Sequence, residues 1–344
     1  MSNTPFVSVV IPTKDMSYYL LFENLPAFTR QTYPDFEVIV LPNEHSQYDL
    51  ELLKKYKWLR IIPTGTITRP AMKRDIGVKN AQGEIIAFID DDAYPQKNWL
   101  KKAVQRFSEG NAAAVCGPGM LPEKTNAWEK IFDEVLKTWV GSGGYSYRFI
   151  KGRRRKVDDY PSMNFLIRKE IFQRLGGFNN DYWPGEDSKL CNDLVHKENE
   201  EILYDPHVAI YHHRRTALKP YLKQHANYGF HRGAFFAHGD ANSRRFGYLV
   251  PSLFVIYLMF LAVDFALAPH LGIPVWYLQL IALPAVAYGL FLMYLSVKSL
   301  VNTGSVKVAL GSPLTLFLMH TVYGIMFVKG TVTGYTKKEK IYGR

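Results

Sequence analysis

Cysteine is nearly absent from this 344-residue chain: only Cys116 and Cys191 occur, far apart and without metal-type spacing. That pattern supports no disulfide framework, so a reducing compartment is the simpler setting. A secretory signal is also lacking, because Met1 to Val10 has no basic stretch leading into an apolar one. The N-terminal part is therefore expected to stay in the cytoplasm. The chain has no internal repeat and no low-complexity tract, which removes solenoids and biased tails from consideration. Acidic residues are in deficit, 31 against 42 Lys and Arg, for a formal net charge of +11. Such a surplus suits nucleic acid, anionic lipid or a phosphorylated substrate equally, and position along the chain has to decide between them.

Apolar residues are plentiful, at 47% of the chain with 14% aromatic, enough for a sizeable core and an appendage. No charge interrupts Phe246 to Val263 or Ile273 to Val297, and Val308 to Val328 is broken only by His320. A bilayer core needs roughly 20 apolar residues per helix, and apolarity here runs round every helix face, so these runs read as membrane segments rather than soluble core helices. Arg244 and Arg245 before the first run, with Lys298 and Lys307 after the second, place both ends in the cytoplasm by the positive-inside tendency. The tail, with Lys337, Lys338, Lys340 and Arg344, also wants the cytoplasm. The third run, with Gly311, Pro313 and Gly324, is therefore expected to be partial, re-entrant or interfacial. The expected organisation is a cytoplasmic catalytic domain over 1–215, interfacial amphipathic helices over 216–245, membrane segments over 246–330 and a basic tail over 331–344.

Upstream, short β-branched runs such as Val7–Ile11 and Phe36–Leu41 alternate with helical stretches such as Pro70–Asn80 and Trp99–Phe107. This alternation predicts an α/β fold: a mostly parallel sheet with helices on both faces. In such sheets ligands sit beyond the carboxyl ends of the strands. After the strand Glu84–Ile89 come Asp90, Asp91 and Asp92. Adjacent carboxylates there suit Mg2+ or Mn2+ bridging a diphosphate; a surface acidic turn is the bland alternative. Glu186 and Asp187 precede a helical stretch, either as N-terminal caps or as the group that takes a proton from an acceptor hydroxyl. His212, His213, Arg214 and Arg215 follow an apolar strand. A histidine there is a candidate metal ligand and the arginines are candidates for a leaving diphosphate, with a membrane-facing basic patch as the alternative. The run Lys151–Lys156 reads as a mobile solvated loop near anionic lipid.

In order along the chain, Ile11-Pro12-Thr13, Gln31-Thr32-Tyr33-Pro34, Lys73-Arg74-Asp75 with Gly77, Ala81 and Gly83, Asp90 to Asp92, Gly176-Gly177-Phe178 and Gly185-Glu186-Asp187 resemble glycosyltransferase family 2 over roughly 7–211. The resemblance implies a Rossmann-like GT-A fold and inverting transfer from a nucleotide sugar. It implies that Asp92 and Asp90 hold the metal with His213, His212 competing for that place, and that Asp187 is the base with Glu186 beside it. It also implies that Pro12, Thr13, Lys73, Arg74 and Asp91 contact the donor. Pro42-Asn43-Glu44 stands where many relatives carry aspartates for base and ribose, leaving Glu44 on the donor side and the nucleotide, UDP- or GDP-linked, open. The stretch Gln224–Gly233 is similar to an exopolysaccharide and succinoglycan-type subgroup, with Trp183, Gln224 and Arg232 candidates for the acceptor or membrane side. The partners implied are a nucleotide-sugar donor, a lipid-linked or glycan acceptor and membrane lipid, with no nucleic acid and compatibility with an oligomer. A processive synthase and a silent binding protein are the rival readings.

Overall fold

The computed structural model describes residues 4–178 and 184–334, which fall into two compact units. The first takes residues up to Pro122 and Tyr147–His213; the second takes Glu123–Ser146 and residues from Arg214 onward.

Within the first unit, strands β1 (Val7–Pro12), β2 (Phe36–Leu41), β3 (Leu59–Ile61) and β4 (Ile85–Ile89) are joined by helices α1 (Leu25–Phe28), α2 (Asp49–Lys55) and α3 (Pro70–Asn80). Then come β5 (Ala93–Pro95), α4 (Trp99–Glu109), β6 (Ala114–Cys116) and β7 (Gly119–Met120). In the second unit lie α5 (Ala127–Leu136) and α6 (Trp139–Ser142). Back in the first are β8 (Arg155–Val157), β9 (Asn164–Arg168), α7 (Lys169–Arg174), α8 (Glu186–Asn192), β10 (Ile202–Tyr204) and β11 (Ile210–His212). The main sheet runs β3-β2-β1-β4-β9-β6-β10-β8, and a small one runs β5-β11-β7. Strands β1, β2, β3 and β4 are mutually parallel neighbours, whereas β9 is antiparallel to both β4 and β6. Val and Ile fill β1 and β4, and every residue of both is buried, as parallel strands covered on both faces require.

Lys151–Lys156 is largely exposed, without regular secondary structure as far as Arg154. Its end forms edge strand β8 beside β10, Arg154 pairs with buried Asp205 at 3.2 Å, and Lys156 pairs with Glu201. Two of the five basic side chains of the run thus meet carboxylates, and Arg155 lies over the Tyr147 ring.

In the second unit α5 opens with a capping box between Asn126 and Glu129, a reciprocal arrangement that satisfies two helix-start donors. The stretch expected to hold interfacial helices is instead dominated by one 21-residue helix, α9 (Leu218–His238). It packs against the last of three long helices, α10 (Phe246–Leu271), α11 (Val275–Thr303) and α12 (Val306–Thr333). Glycines allow the approach: a Cβ on Gly229 would stand 2.4 Å from the Tyr323 carbonyl oxygen, and one on Gly233 2.1 Å from that of Phe327. Small residues at such contacts let helix backbones meet closely. All three long helices are long and apolar enough to cross a membrane. The third run, expected to be partial, re-entrant or interfacial, is a continuous helix of 28 residues.

Candidate active site

Strand β4 ends at Ile89 and delivers Asp90 to Asp92 to the carboxyl edge of the sheet. Strand β11 pairs antiparallel with β5, setting His212 opposite Ala93, one residue beyond the aspartates. Asp90, Asp92 and His212 consequently offer ligand atoms that all lie within 4.8 Å of one another. His212 Nε2 is 3.1 Å from Asp92 Oδ1. Two carboxylates and an imidazole fit Mn2+ or Mg2+. The neighbouring histidine faces elsewhere: His213 Nε2 meets Glu23 Oε2 at 2.9 Å and its ring stacks on Tyr19 at 4.2 Å. Successive side chains along an extended segment point to opposite faces, which is why His212 and not His213 joins the cluster.

Asp91 also turns away from the cluster. Its Oδ2 accepts from the Thr13 hydroxyl at 2.5 Å, tying the acidic turn to the end of β1 just after Pro12. Burial, with Asp92 and Asp90 beside it, pushes its carboxyl up to about 6. Asn24 holds the same turn from behind, donating to the carbonyls of Ala93 at 2.5 Å and Asp90 at 3.3 Å.

Lys73, expected at the donor, is 1% exposed. Its ammonium donates to the carbonyls of Thr13 at 2.6 Å and Leu41 at 3.1 Å and to Asn43 Oδ1 at 2.5 Å. An ammonium has three protons, and all are committed to bracing the ends of β1 and β2. Burial lowers its pKa. Its neighbour Arg74 does reach the site. It donates to Asp90 Oδ1 at 2.8 Å and lies 3.6 Å from Glu186 Oε1, linking the acidic turn to the carboxylates at the start of α8.

Those carboxylates begin a helix whose preceding residue, Gly185, has φ +126°, a conformation that favours glycine. Asp187 Oδ1 accepts from the Ser188 N–H at 2.8 Å and Oδ2 from the Ser162 N–H at 3.3 Å. Burial, reinforced by Asp159, raises the Asp187 pKa. Burial, with Asp187 adjacent, pushes Glu186 up to about 7. Two adjacent buried carboxylates whose pKa values are both raised, with the Arg74 guanidinium beside Glu186, mark the start of α8 as a candidate acid–base site. On the other side of Arg74, Asp75 accepts from the Phe178 N–H at 2.9 Å, and burial pushes it up to about 6.

The remaining candidates scatter. Glu44 is exposed on the loop after β2, and Trp183 lies outside the described residues. In the second unit, Arg214 is buried and committed to Asp133 at 2.9 Å, Arg215 is exposed, Gln224 donates to the Tyr228 hydroxyl at 2.9 Å, and Arg232 donates to Ser243 Oγ at 3.0 Å. Sequence reasoning passed over Glu23, Asn24 and Asp75. Only Asp75 had a local signal, as the third residue of Lys73-Arg74-Asp75.

Residues 8–176 match the family model described as Glycosyl transferase family 2. Among curated relatives, the dolichyl N-acetyl-alpha-D-glucosaminyl phosphate 3-beta-D-2,3-diacetamido-2,3-dideoxy-beta-D-glucuronosyltransferase of Methanococcus voltae is 22% identical, with 96% of this chain and 98% of the relative covered. The pre-mycofactocin glycosyltransferase of Mycobacterium tuberculosis is 26% identical over 46% of this chain, which spans only 33% of that relative's length. A mannosyltransferase from Pyrobaculum calidifontis, solved with GDP-Man and Mn2+, superposes with a TM-score of 0.58 at 17% identity, covering 96% of this chain and 88% of the other. That likeness shows a shared GT-A fold, and the match to the glycosyl transferase family 2 model covers just under half of the chain.

Proposed function

We propose that the chain is a membrane-bound, metal-dependent, inverting glycosyltransferase that moves a sugar from a nucleotide-sugar donor to a lipid-linked acceptor. The observation that carries this reading is the convergence of Asp90, Asp92 and His212 with the buried Glu186 and Asp187, joined through Arg74. Asp90, Asp92 and His212 would hold Mn2+ or Mg2+, which when bound neutralises the donor diphosphate. The acceptor oxygen attacks the anomeric carbon as the bond to the diphosphate breaks; Asp187 takes the hydroxyl proton, and the nucleotide departs with the bonding pair. Arg74 keeps Glu186 beside Asp187 and steadies Asp90. Arg214, already bound to Asp133, has no part in this scheme.

The full-length Methanococcus relative is named for a dolichyl-linked sugar phosphate, which favours a lipid-linked acceptor over an exopolysaccharide-type one. Membrane placement follows from charge and burial together. Arg244 and Arg245 before α10, with Lys298 and Lys307 near the α11–α12 turn, put the catalytic domain and both ends of an α10–α11 hairpin in the cytoplasm. Only 6% of the apolar window is buried in each of α10 and α11, against 44% in α12. Val308, Leu316 and Met319 of α12 pack with Ile131 and Phe132 of α5, which supports an interfacial course for α12.

The test is release of free nucleotide by the detergent-solubilised protein across a panel of sugar nucleotides, with Mn2+, with Mg2+ and with chelator. Metal-dependent turnover of one donor is expected. Turnover unaffected by chelator would remove the metal from the scheme, and absence of both turnover and donor-induced thermal stabilisation would defeat the reading.

A further inference from the structure

The stretch Glu123–Ser146 interrupts the run of strands between β7 and β8 and belongs to the second unit. It begins beside the α11–α12 turn, which the placement proposed above puts in the cytoplasm. There the Lys307 ammonium stands over the Trp128 ring at 5.8 Å, and Glu134 accepts from the Asn302 amide at 2.8 Å. From α5 the chain turns into α6, where Thr138 Oγ1 accepts from the Gly141 N–H at 2.8 Å. The Val140 carbonyl lies 3.2 Å from His320 Nε2. A carbonyl only accepts, so Nε2 carries the proton and Nδ1 is left to take the Tyr288 hydroxyl at 3.1 Å. The His320 ring lies 6.3 Å from that of Phe254, which at about 1.5 Å per residue is roughly 12 Å along α10 from Phe246. Gly143, just past α6, sits instead at the first turn of α10: a Cβ on Gly247 would stand 3.3 Å from its carbonyl oxygen. One end of α6 is thus level with the start of α10, and the other reaches the depth of Phe254. Trp139, at that deeper end, is 73% exposed.

We propose that α5 and α6 form a wedge set into the cytoplasmic leaflet, with Trp139 against phospholipid where headgroups give way to acyl chains. This rests on the membrane placement of α10 and α11. Phe246, Val250 and Leu253 are exposed on the first turns of α10, so the bilayer that covers them covers the level of α6 as well. Tryptophan suits that level, with an apolar ring and one polar N–H. The break between α5 and α6 frees backbone carbonyls, and at membrane depth these need a partner within the protein. His320 supplies one to Val140, which gives a purpose to the histidine that interrupts the third apolar run. A turn facing water would need no such donor, because water serves its carbonyls.

The experiment uses the full chain in phosphatidylcholine nanodiscs. Cys116 and Cys191 are both buried, so an introduced surface thiol can be labelled alone with an environment-sensitive nitrobenzoxadiazole. Trp139→Cys is compared with Leu283→Cys, on the exposed apolar surface of α11, and with Leu50→Cys, exposed on α2. Each label is challenged with phosphatidylcholine brominated in its acyl chains and with aqueous iodide. The label at position 139 is expected to lose intensity to bromolipid, as the one at 283 does, and to resist iodide. Quenching by iodide as strong as at position 50, with none by bromolipid, would overturn the wedge. An unlabelled Trp139→Phe variant guards against a disturbed fold: subtracting its emission from that of the wild type isolates the Trp139 signal. That signal should fall with bromolipid, and one that bromolipid leaves untouched would also overturn the wedge. Failure of the underlying membrane placement looks different, because the label at 283 would then itself be open to iodide and spared by bromolipid.

Discussion

Each unit of this molecule buries a cluster of charge, and the two clusters are built on opposite principles. In the second unit, Asp133 is 1% exposed and meets Arg214 at 2.9 Å and Lys137 at 2.6 Å. Glu134, 4% exposed, takes Lys137 at 3.2 Å and the Asn302 amide at 2.8 Å. Two carboxylates face two cations, and the charge closes on itself. In the first unit Arg74 meets Asp90 and Glu186, with Asp187, Asp91 and Asp92 close by, so that among the described residues the carboxylates outnumber the cations beside them, and Asp90 keeps a side-chain exposure of 30%. Buried charge is tolerable when matched and costly when it is not. The matched cluster is therefore architecture, and the mismatched one reads as a place waiting for a cation and a proton.

Substitutions can break that contrast. The largest effect is expected from Asp187→Asn, which removes the proton acceptor and should lower transfer by about 10²- to 10⁴-fold while donor-induced stabilisation persists; appreciable turnover would move the base elsewhere. Asp133→Ala should act the other way. Leaving Arg214 buried without its carboxylate is expected to cost about 3–5 kcal/mol in thermal unfolding, with the metal dependence of any surviving activity intact. Asp92→Ala sharpens the comparison further: the Mn2+-induced thermal shift should vanish with little loss of stability in chelator, since the change relieves like-charge repulsion. Next comes Gly233→Ala, whose added methyl meets the Phe327 carbonyl at 2.1 Å and should destabilise by about 1–3 kcal/mol through forced helix separation.

The smallest effect concerns pH. Glu186 rises from 4.5 to about 7 in the fold, so between those values the folded chain binds more protons than the unfolded one. Its contribution to stability is complete below about 4.5 and is lost as pH climbs through about 7. Glu186→Gln should flatten that decline in unfolding curves taken across the interval. A decline of unchanged steepness would assign the titration to another group.

Much of this was legible in the chain because local signals carried it. The β-branched runs gave β1, β2 and β4 with their order, and the clustered carboxylates at Asp90 to Asp92 and Glu186-Asp187 announced themselves by type and position. What escaped was set by distance or phase. Choosing His212 over His213 needed the pleat phase of β11 against β5, which no count along the chain supplies. Glu23 and Asn24 act on residues far downstream, and neither sits in a motif. Lys73, expected to contact the donor, was not legible as a brace, because its three acceptors are two carbonyls and an amide at the ends of β1 and β2. Strand β9 slips between β4 and β6 in reverse sense, and its short apolar sequence Asn164–Arg168 carries no mark of direction. The ion pairs of Arg154 and Lys156 were not legible, because Asp205 and Glu201 flank a strand about 50 residues later.

The glycine seam between α9 and α12 also bears on how the protein is made. Helix α9 emerges from the ribosome ahead of every long apolar helix, yet the surface that covers Gly229 and Gly233 belongs to the last of them. While α10 and α11 are being synthesised, Gly229 and Gly233 lack the α12 backbone that covers them in the finished protein. The second unit therefore closes last and all at once, and a ribosome stalled before Val306 would leave a sticky, half-dressed helix for the cell's quality control to find.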